Sequence, residues 1–211
     1  MAVITLSREM GSEGEFVGTE VARRLGLPYA DREVIEEAAR RAGLPQEILD
    51  AKEQEANTHI FSSSDMAGLV RRSQSGKRQQ MEDTYYVKFM GEAVVQMASR
   101  PSVILGRGAQ FLLQGRSDIL HVYLYAPLPV RISRVMRERG LSREQTERVV
   151  RASDQERAGY IKRYFNNANW RNPDYYNLMI DTSRVSPQTA VDLVVRAAEA
   201  LSAESFAPKV E

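Results

Sequence analysis

Val3-Ile4-Thr5-Leu6-Ser7-Arg8-Glu9-Met10-Gly11-Ser12-Glu13-Gly14-Glu15-Phe16-Val17-Gly18 is the stretch whose reading decides the fold. Residues 3–6 form a short β-favouring apolar run, and Gly11 and Gly14 permit a tight turn. Phe16, Val17, Val21, Ala22 and Leu25 then recur at helical spacing. The order is strand, glycine-bearing loop, helix. Such a loop aims backbone N–H groups and the positive end of the helix dipole at one point, which suits a phosphate. The same glycines also fit a plain tight turn, so the stretch alone leaves both readings open.

A lysine-bearing phosphate loop reads G-x-x-x-x-G-K-[ST]. Here Gly14 is followed by Glu15, so the phosphate-reaching lysine and the metal-holding hydroxyl are both missing from their places.

The chain of 211 residues is long enough for one α/β domain, 1–211, with an elaboration. Basic and acidic residues nearly cancel, 29 against 28, so no global field argues for a nucleic-acid or membrane partner and any anion site must be local. There is no cysteine, which removes disulfides, thiolate metal sites and cysteine nucleophiles. Of the two histidines, His121 lies in an apolar run and reads as a packed residue, while His59 stands in a polar loop. No apolar run approaches the ~18 residues of a membrane span, and the reading is a soluble, cytoplasmic protein.

Outward from the first helix, Gly26 and Pro28 stop it and a short second strand follows at 28–30. Asp31 fits the N-cap of a helix carrying Val34, Ile35, Ala38 and Ala39. Residues 44 to about 81 are polar and read as an insertion, within a helical or flexible section of about 44–98. Its basic cluster of Arg71, Arg72, Lys77 and Arg78 fits a solvated surface or a phosphate backbone. A helix over 81–97 presents Met81, Tyr85, Phe89, Ala93, Val94 and Met97 to the core. Ser102-Val103-Ile104-Leu105-Gly106-Arg107-Gly108 is a central strand ending in a turn. It delivers Arg107 to the C-terminal edge of the sheet, where ligands of open α/β sheets collect, or to a partner carboxylate. Residues 119–125 form the fourth strand, and Pro127 and Pro129 lead into a helix bearing Arg131 and Arg134. Ser142 and Gln145 form a capping box for a helix that carries Asp154 and Arg157 towards the turn-rich 166–173, as a solvated face or a closing lid over about 131–175. Residues 176–183 are the fifth strand, 187–201 an amphipathic helix, and 203–211 a disordered tail.

Taken together these pieces resemble the cytidylate kinase-like family of the nucleoside monophosphate kinases. The residues that carry the likeness are 4–12, Leu27-Pro28-Tyr29-Ala30-Asp31, Ile104-Leu105-Gly106-Arg107-Gly108-Ala109, 122–127 with Arg131 and Arg134, Asp154-Gln155-Glu156-Arg157-Ala158, and 177–183. The resemblance implies a three-layer α/β fold: a five-stranded parallel sheet flanked by helices, with a helical insertion and a lid. It implies transfer of the γ-phosphate of ATP, with Mg2+, to a nucleoside monophosphate, cytidylate first. By position, Ser7, Arg8, Gly11, Ser12 and Gly14 would surround the donor phosphates, Asp31 would hold the acceptor's sugar or base, and Arg107 its phosphate. Arg131, Arg157 and Asp154 look like the residues that close over the transferring group, and Ser7 or Ser12 would meet the metal. Phosphoryl transfer needs positioned cations rather than a protein nucleophile, so the set is chemically sufficient.

The departures carry an alternative. Gly11-Ser12-Glu13-Gly14-Glu15 stands where this branch usually shows Gly-Ser-Gly-Gly-Arg, and Leu105 stands where an aspartate precedes Gly-Arg. Arg8 is the residue available to reach in for the missing cation. An unpaired carboxylate beside a phosphate costs about 1 kcal/mol or more, which favours a catalytically weak or inactive nucleotide or phosphometabolite sensor on the same fold. A third reading is an RNA or protein adaptor using the basic cluster.

Overall fold

β1 (Val3–Arg8) is buried on both faces until its last residue, as a continuous apolar run in the middle of a parallel sheet should be. In the computed structural model, which describes residues 2–41, 43–45 and 76–203, β1 is flanked by β3 (Val103–Leu105) and β4 (Ile119–Tyr125). β2 (Tyr29–Ala30) pairs with β3 at one edge and β5 (Leu178–Asp181) with β4 at the other. The order is β2-β3-β1-β4-β5 with every pair parallel. The sheet is therefore five-stranded and parallel, and all its C-terminal ends lie along one edge. Residues 46–75 with His59, Arg71 and Arg72, the side chains of Lys77 and Arg78, and the tail 204–211 lie outside the described residues.

Alternation along the strands sends Ile4, Leu6, Val122 and Leu124 to one face and Val3, Ile104 and Ile119 to the other. The first face packs against α1 (Gly14–Leu25) and α7 (Pro187–Ala203) through Val17, Val21, Val191 and Val194. The second packs against α2 (Arg32–Arg41) and α3 (Gly76–Met97) through Ala39, Met90 and Val94, with the short α4 (Ala109–Leu112) beside them. α5 (Leu128–Arg139) and α6 (Arg143–Tyr164) follow β4 and share the apolar contact of Ile132, Val135 and Val150. Gly26 ends α1 in the left-handed conformation, and Ser142 and Gln145 form a reciprocal cap at the start of α6.

Two helix faces differ from the sequence reading. Phe16, expected in the apolar stripe of α1, is 49% exposed. The buried stripe runs Gly14, Val17, Gly18, Val21 and Ala22, and Phe16 falls one residue, about 100°, away from it. In α3 the core-facing residues are Tyr86, Met90, Ala93 and Val94, so Tyr85 is turned outward and stacks on Phe89 instead. That helix also begins at Gly76, earlier than the expected residue 81.

Candidate functional site

β1 ends at Arg8 and the chain turns through Gly11 into α1. Gly11 sits at φ 78, and a Cβ there would stand 2.7 Å from the Arg131 carbonyl oxygen, so this turn requires glycine. Glu13, also left-handed at φ 61, is the N-cap of α1 and makes no side-chain capping bond. The amide end of the helix is left to face outward, the arrangement that suits an anion. The Ser12 hydroxyl is fully buried and donates to the Glu9 carbonyl at 2.7 Å.

Beneath the loop lies a knot of buried charge. Glu9 accepts from Tyr123 Oη at 3.1 Å and from the Ala126 amide at 3.3 Å, and it pairs with Arg131 at 3.1 Å and Arg171 at 2.8 Å. Arg131, 3% exposed, donates in turn to the Ala126 and Met10 carbonyls and makes a fork with Asp154 at 2.8 and 3.1 Å. Arg134 holds the loop from outside: it donates to the Gly11 carbonyl at 3.1 Å and to Thr182 just past β5, and pairs with Glu13 at 3.4 Å. Burial and the neighbouring Glu9 push the Tyr123 phenol well above its ordinary range, so it stays a neutral donor to that carboxylate.

Above the loop, at the C-terminal edge of β1 and β3, is a cavity of about 230 Å³ lined by Ser7, Arg8, Arg107, Gln110 and Arg157 with Tyr160 and Trp170 as an aromatic side. Arg8 reaches it through a slot between two glycines. A Cβ on Gly14 would overlap the Arg8 Cβ and Cγ, and one on Gly106 would stand 2.7 Å from Arg8 Nη1. Burial lowers the Arg8 pKa, opposed by Glu15 at 3.9 Å and reinforced by Arg107. Arg157 donates to the Arg8 carbonyl and lies over the Trp170 ring at 5.1 Å. Burial, then the charge of Arg8, brings its pKa down to about 10. It remains a cation at neutral pH. Arg107 stands on three successive left-handed residues, Gly106, Arg107 and Gly108, at φ 77, 55 and 68. Its guanidinium donates to Tyr86 Oη at 3.0 Å and pairs with Glu36.

The residues singled out in the sequence thus fall into two groups. Ser7, Arg8, Arg107 and Arg157 line the cavity, Gly11, Ser12 and Gly14 frame the loop beside it, and Asp31, next to β2, acts on the charge of Arg8. Arg131 and Asp154 sit in the knot under the loop, turned towards each other. Residues 3–184 match the profile of the cytidylate kinase-like family. The chain belongs to that family. Among solved structures, this cytidylate kinase-like chain is similar to an uncharacterized protein from Eubacterium ventriosum, with 18% identity over 94% of this chain and 99% of that one and a TM-score of 0.67. It is also similar to the YorR protein of Bacillus subtilis in complex with phosphorylated GDP (11%, 97% and 99%, TM-score 0.51) and to a gluconokinase from Sinorhizobium meliloti (14%, 97% and 98%, TM-score 0.50). At such identities the likeness is one of fold. No curated protein matches the chain.

Sequence reasoning did not single out Glu9, Arg171, Glu36, Tyr86 or Trp170 as site residues. Glu9 carried a signal, a charge in the turn between a buried strand and a helix, but its partners lie more than a hundred residues away along the chain.

Proposed function

We propose that this cytidylate kinase-like chain is a cytoplasmic phosphotransferase that moves the γ-phosphoryl group of ATP to a nucleoside monophosphate, with CMP the preferred acceptor. The reading is carried by one observation: Arg8, Arg107 and Arg157 gather around a single cavity beside the glycine loop, at the edge where parallel sheets bind ligands. Arg107 and Asp31 hold the acceptor, the former by its phosphate. Ser7, Arg8 and the Gly11–Ser12–Gly14 backbone hold the donor. As the bond to the departing ADP oxygen breaks and the bond to the acceptor phosphate oxygen forms, Arg8 and Arg157 donate to the oxygens on which charge spreads. A single such arginine is worth on the order of 10³-fold or more. Arg131 and Asp154 act through the loop they hold. Mg2+, when bound with ATP, offsets phosphate charge. Among the described residues no group of three acidic, His or Cys side chains can hold a metal alone. The Ser7 hydroxyl lines the cavity and that of Ser12 lies in the loop beside it; each keeps an oxygen lone pair with which it would meet a phosphate-borne ion. No helix among the described residues is long and apolar enough to cross a membrane.

A second reading, a nucleotide or phosphometabolite sensor with little or no turnover, is favoured by Glu15 standing 3.9 Å from the cation that must meet the donor. Incubation with ATP, Mg2+ and a panel of nucleoside monophosphates separates the two. ADP formation dependent on the acceptor supports the kinase, and thermal stabilisation by nucleotides without ADP supports the sensor.

A further inference from the structure

The guanidinium of Arg107 already holds an anion, and that anion belongs to the protein. Glu36, on α2, pairs with Arg107 Nη2, while Tyr86, on α3, accepts from Nη1 at 3.0 Å. The two charged side chains are 15% and 12% exposed, so the pair is shielded rather than screened by solvent. Two features set it apart from an ordinary pair that ties a helix to a sheet. Arg107 is delivered by a left-handed backbone at φ 55, a conformation that is unfavourable for a non-glycine residue and persists where the surroundings impose it. Arg107 also shares its cavity with Arg8 and Arg157, whose pKa values are both lowered by burial and by neighbouring positive charge. The cavity wants negative charge: Glu156 lines it, and Glu36, which does not, supplies part of it through Arg107.

We propose that Glu36 is an internal competitor for the acceptor's phosphate: it occupies the anion seat on Arg107 and must leave for an anionic acceptor to bind. This rests on the assignment of Arg107 to the acceptor phosphate. A neutral acceptor has nothing with which to displace a carboxylate from a guanidinium, whereas a phosphate dianion brings more charge and the same forked acceptor geometry. Glu36 therefore makes the seat selective for dianions.

The sign of one substitution decides the matter. Inorganic pyrophosphate is titrated calorimetrically at fixed ionic strength into the full chain, Glu36→Gln, Glu36→Asp, Arg107→Ala and the Arg107→Ala/Glu36→Gln double variant. With the competitor neutralised, E36Q binds on the order of tenfold more tightly than the wild type, and the shortened E36D falls between them. The gain vanishes in the R107A background. A folded E36Q or E36D that binds with equal or lower affinity overturns the proposal, because that is what a glutamate serving only to orient Arg107 gives. Absence of binding in every variant overturns it too. The kinase reading fails separately, through absence of ADP in the nucleotide panel, which the pyrophosphate titration does not use.

Discussion

Arg157 donates a hydrogen bond to the backbone carbonyl of Arg8, across 149 positions of sequence, and so brings the helix that carries it onto the end of the central strand. The charge of Arg8 also helps lower the Arg157 pKa, to about 10, so two like charges are held together at the mouth of the glycine loop. Such an arrangement stores repulsion that an incoming polyphosphate relieves.

Replacing Arg157 by alanine removes one of the two cations assigned to the transferring group. ATP-dependent turnover should fall by on the order of 10³-fold, while the urea midpoint falls modestly, because the bond to the Arg8 carbonyl and the contact with Trp170 are lost and relief of the repulsion from Arg8 offsets only part of that. Steady-state rates and equilibrium unfolding of the same preparation check both halves. A variant with unchanged kcat/KM would remove Arg157 from the chemistry.

Arg8 depends on the missing side chain of Gly14. Gly14→Ala should displace Arg8 from its slot and weaken ATP-Mg2+ binding about as much as Arg8→Gly does. In an Arg8→Gly background the same change should cost little, because neither the Cβ nor the Cγ that the new methyl group meets remains. Titration of ATP-Mg2+ into the four proteins of this cycle measures the coupling, and additive losses would contradict the slot.

Glu9 and Glu15 lie six positions apart and should behave in opposite ways. Glu9 is 6% exposed, so Glu9→Ala strips the buried Tyr123 hydroxyl and Ala126 amide of their acceptor and leaves Arg131 and Arg171 only Asp154 to share, which should cost about 1–3 kcal/mol. Glu15 is 82% exposed on its side chain, and Glu15→Ala should change stability by less than about 0.5 kcal/mol. Its effect should appear instead as tighter donor binding. Chemical denaturation read alongside ATP titration distinguishes them.

His121 sits in β4 with Nδ1 2.6 Å from Thr5 Oγ1 and Nε2 buried, and burial, opposed by the Leu113 backbone, lowers its pKa below the usual value of 6.5. The unfolded chain takes up a proton near pH 6.5 while the folded chain resists it. The stability contributed by the neutral ring is therefore fully present above pH 6.5 and lost as pH falls below it, by up to about 1.4 kcal/mol per pH unit. Unfolding free energies measured between pH 5 and 8 should show this slope in the wild type and a shallower one in His121→Gln.

The strands and the order of elements were legible because a parallel sheet buried on both faces leaves unbroken apolar runs, as at residues 3–6 and 119–125. Arg107 was legible because a strand end is a place defined by the chain itself. The knot under the loop was not. Glu9, Arg131, Asp154 and Arg171 are scattered from one end of the sequence to the other, and only the sheet order brings them together. The outward turn of Phe16 and Tyr85 was missed for a related reason: each lies a single residue from a true stripe, and a pattern of apolar letters does not say which side of the stripe is covered.

Trp170 is the sole indole of the chain, and Arg157 and Arg171 lie over its ring at 5.1 and 5.0 Å. One of those cations lines the cavity and the other is tied to Glu9. The molecule therefore carries its own optical probe: any ligand that draws Arg157 away changes the local field on a single fluorophore, and ultraviolet emission alone, with no added dye, reads the filling of the site.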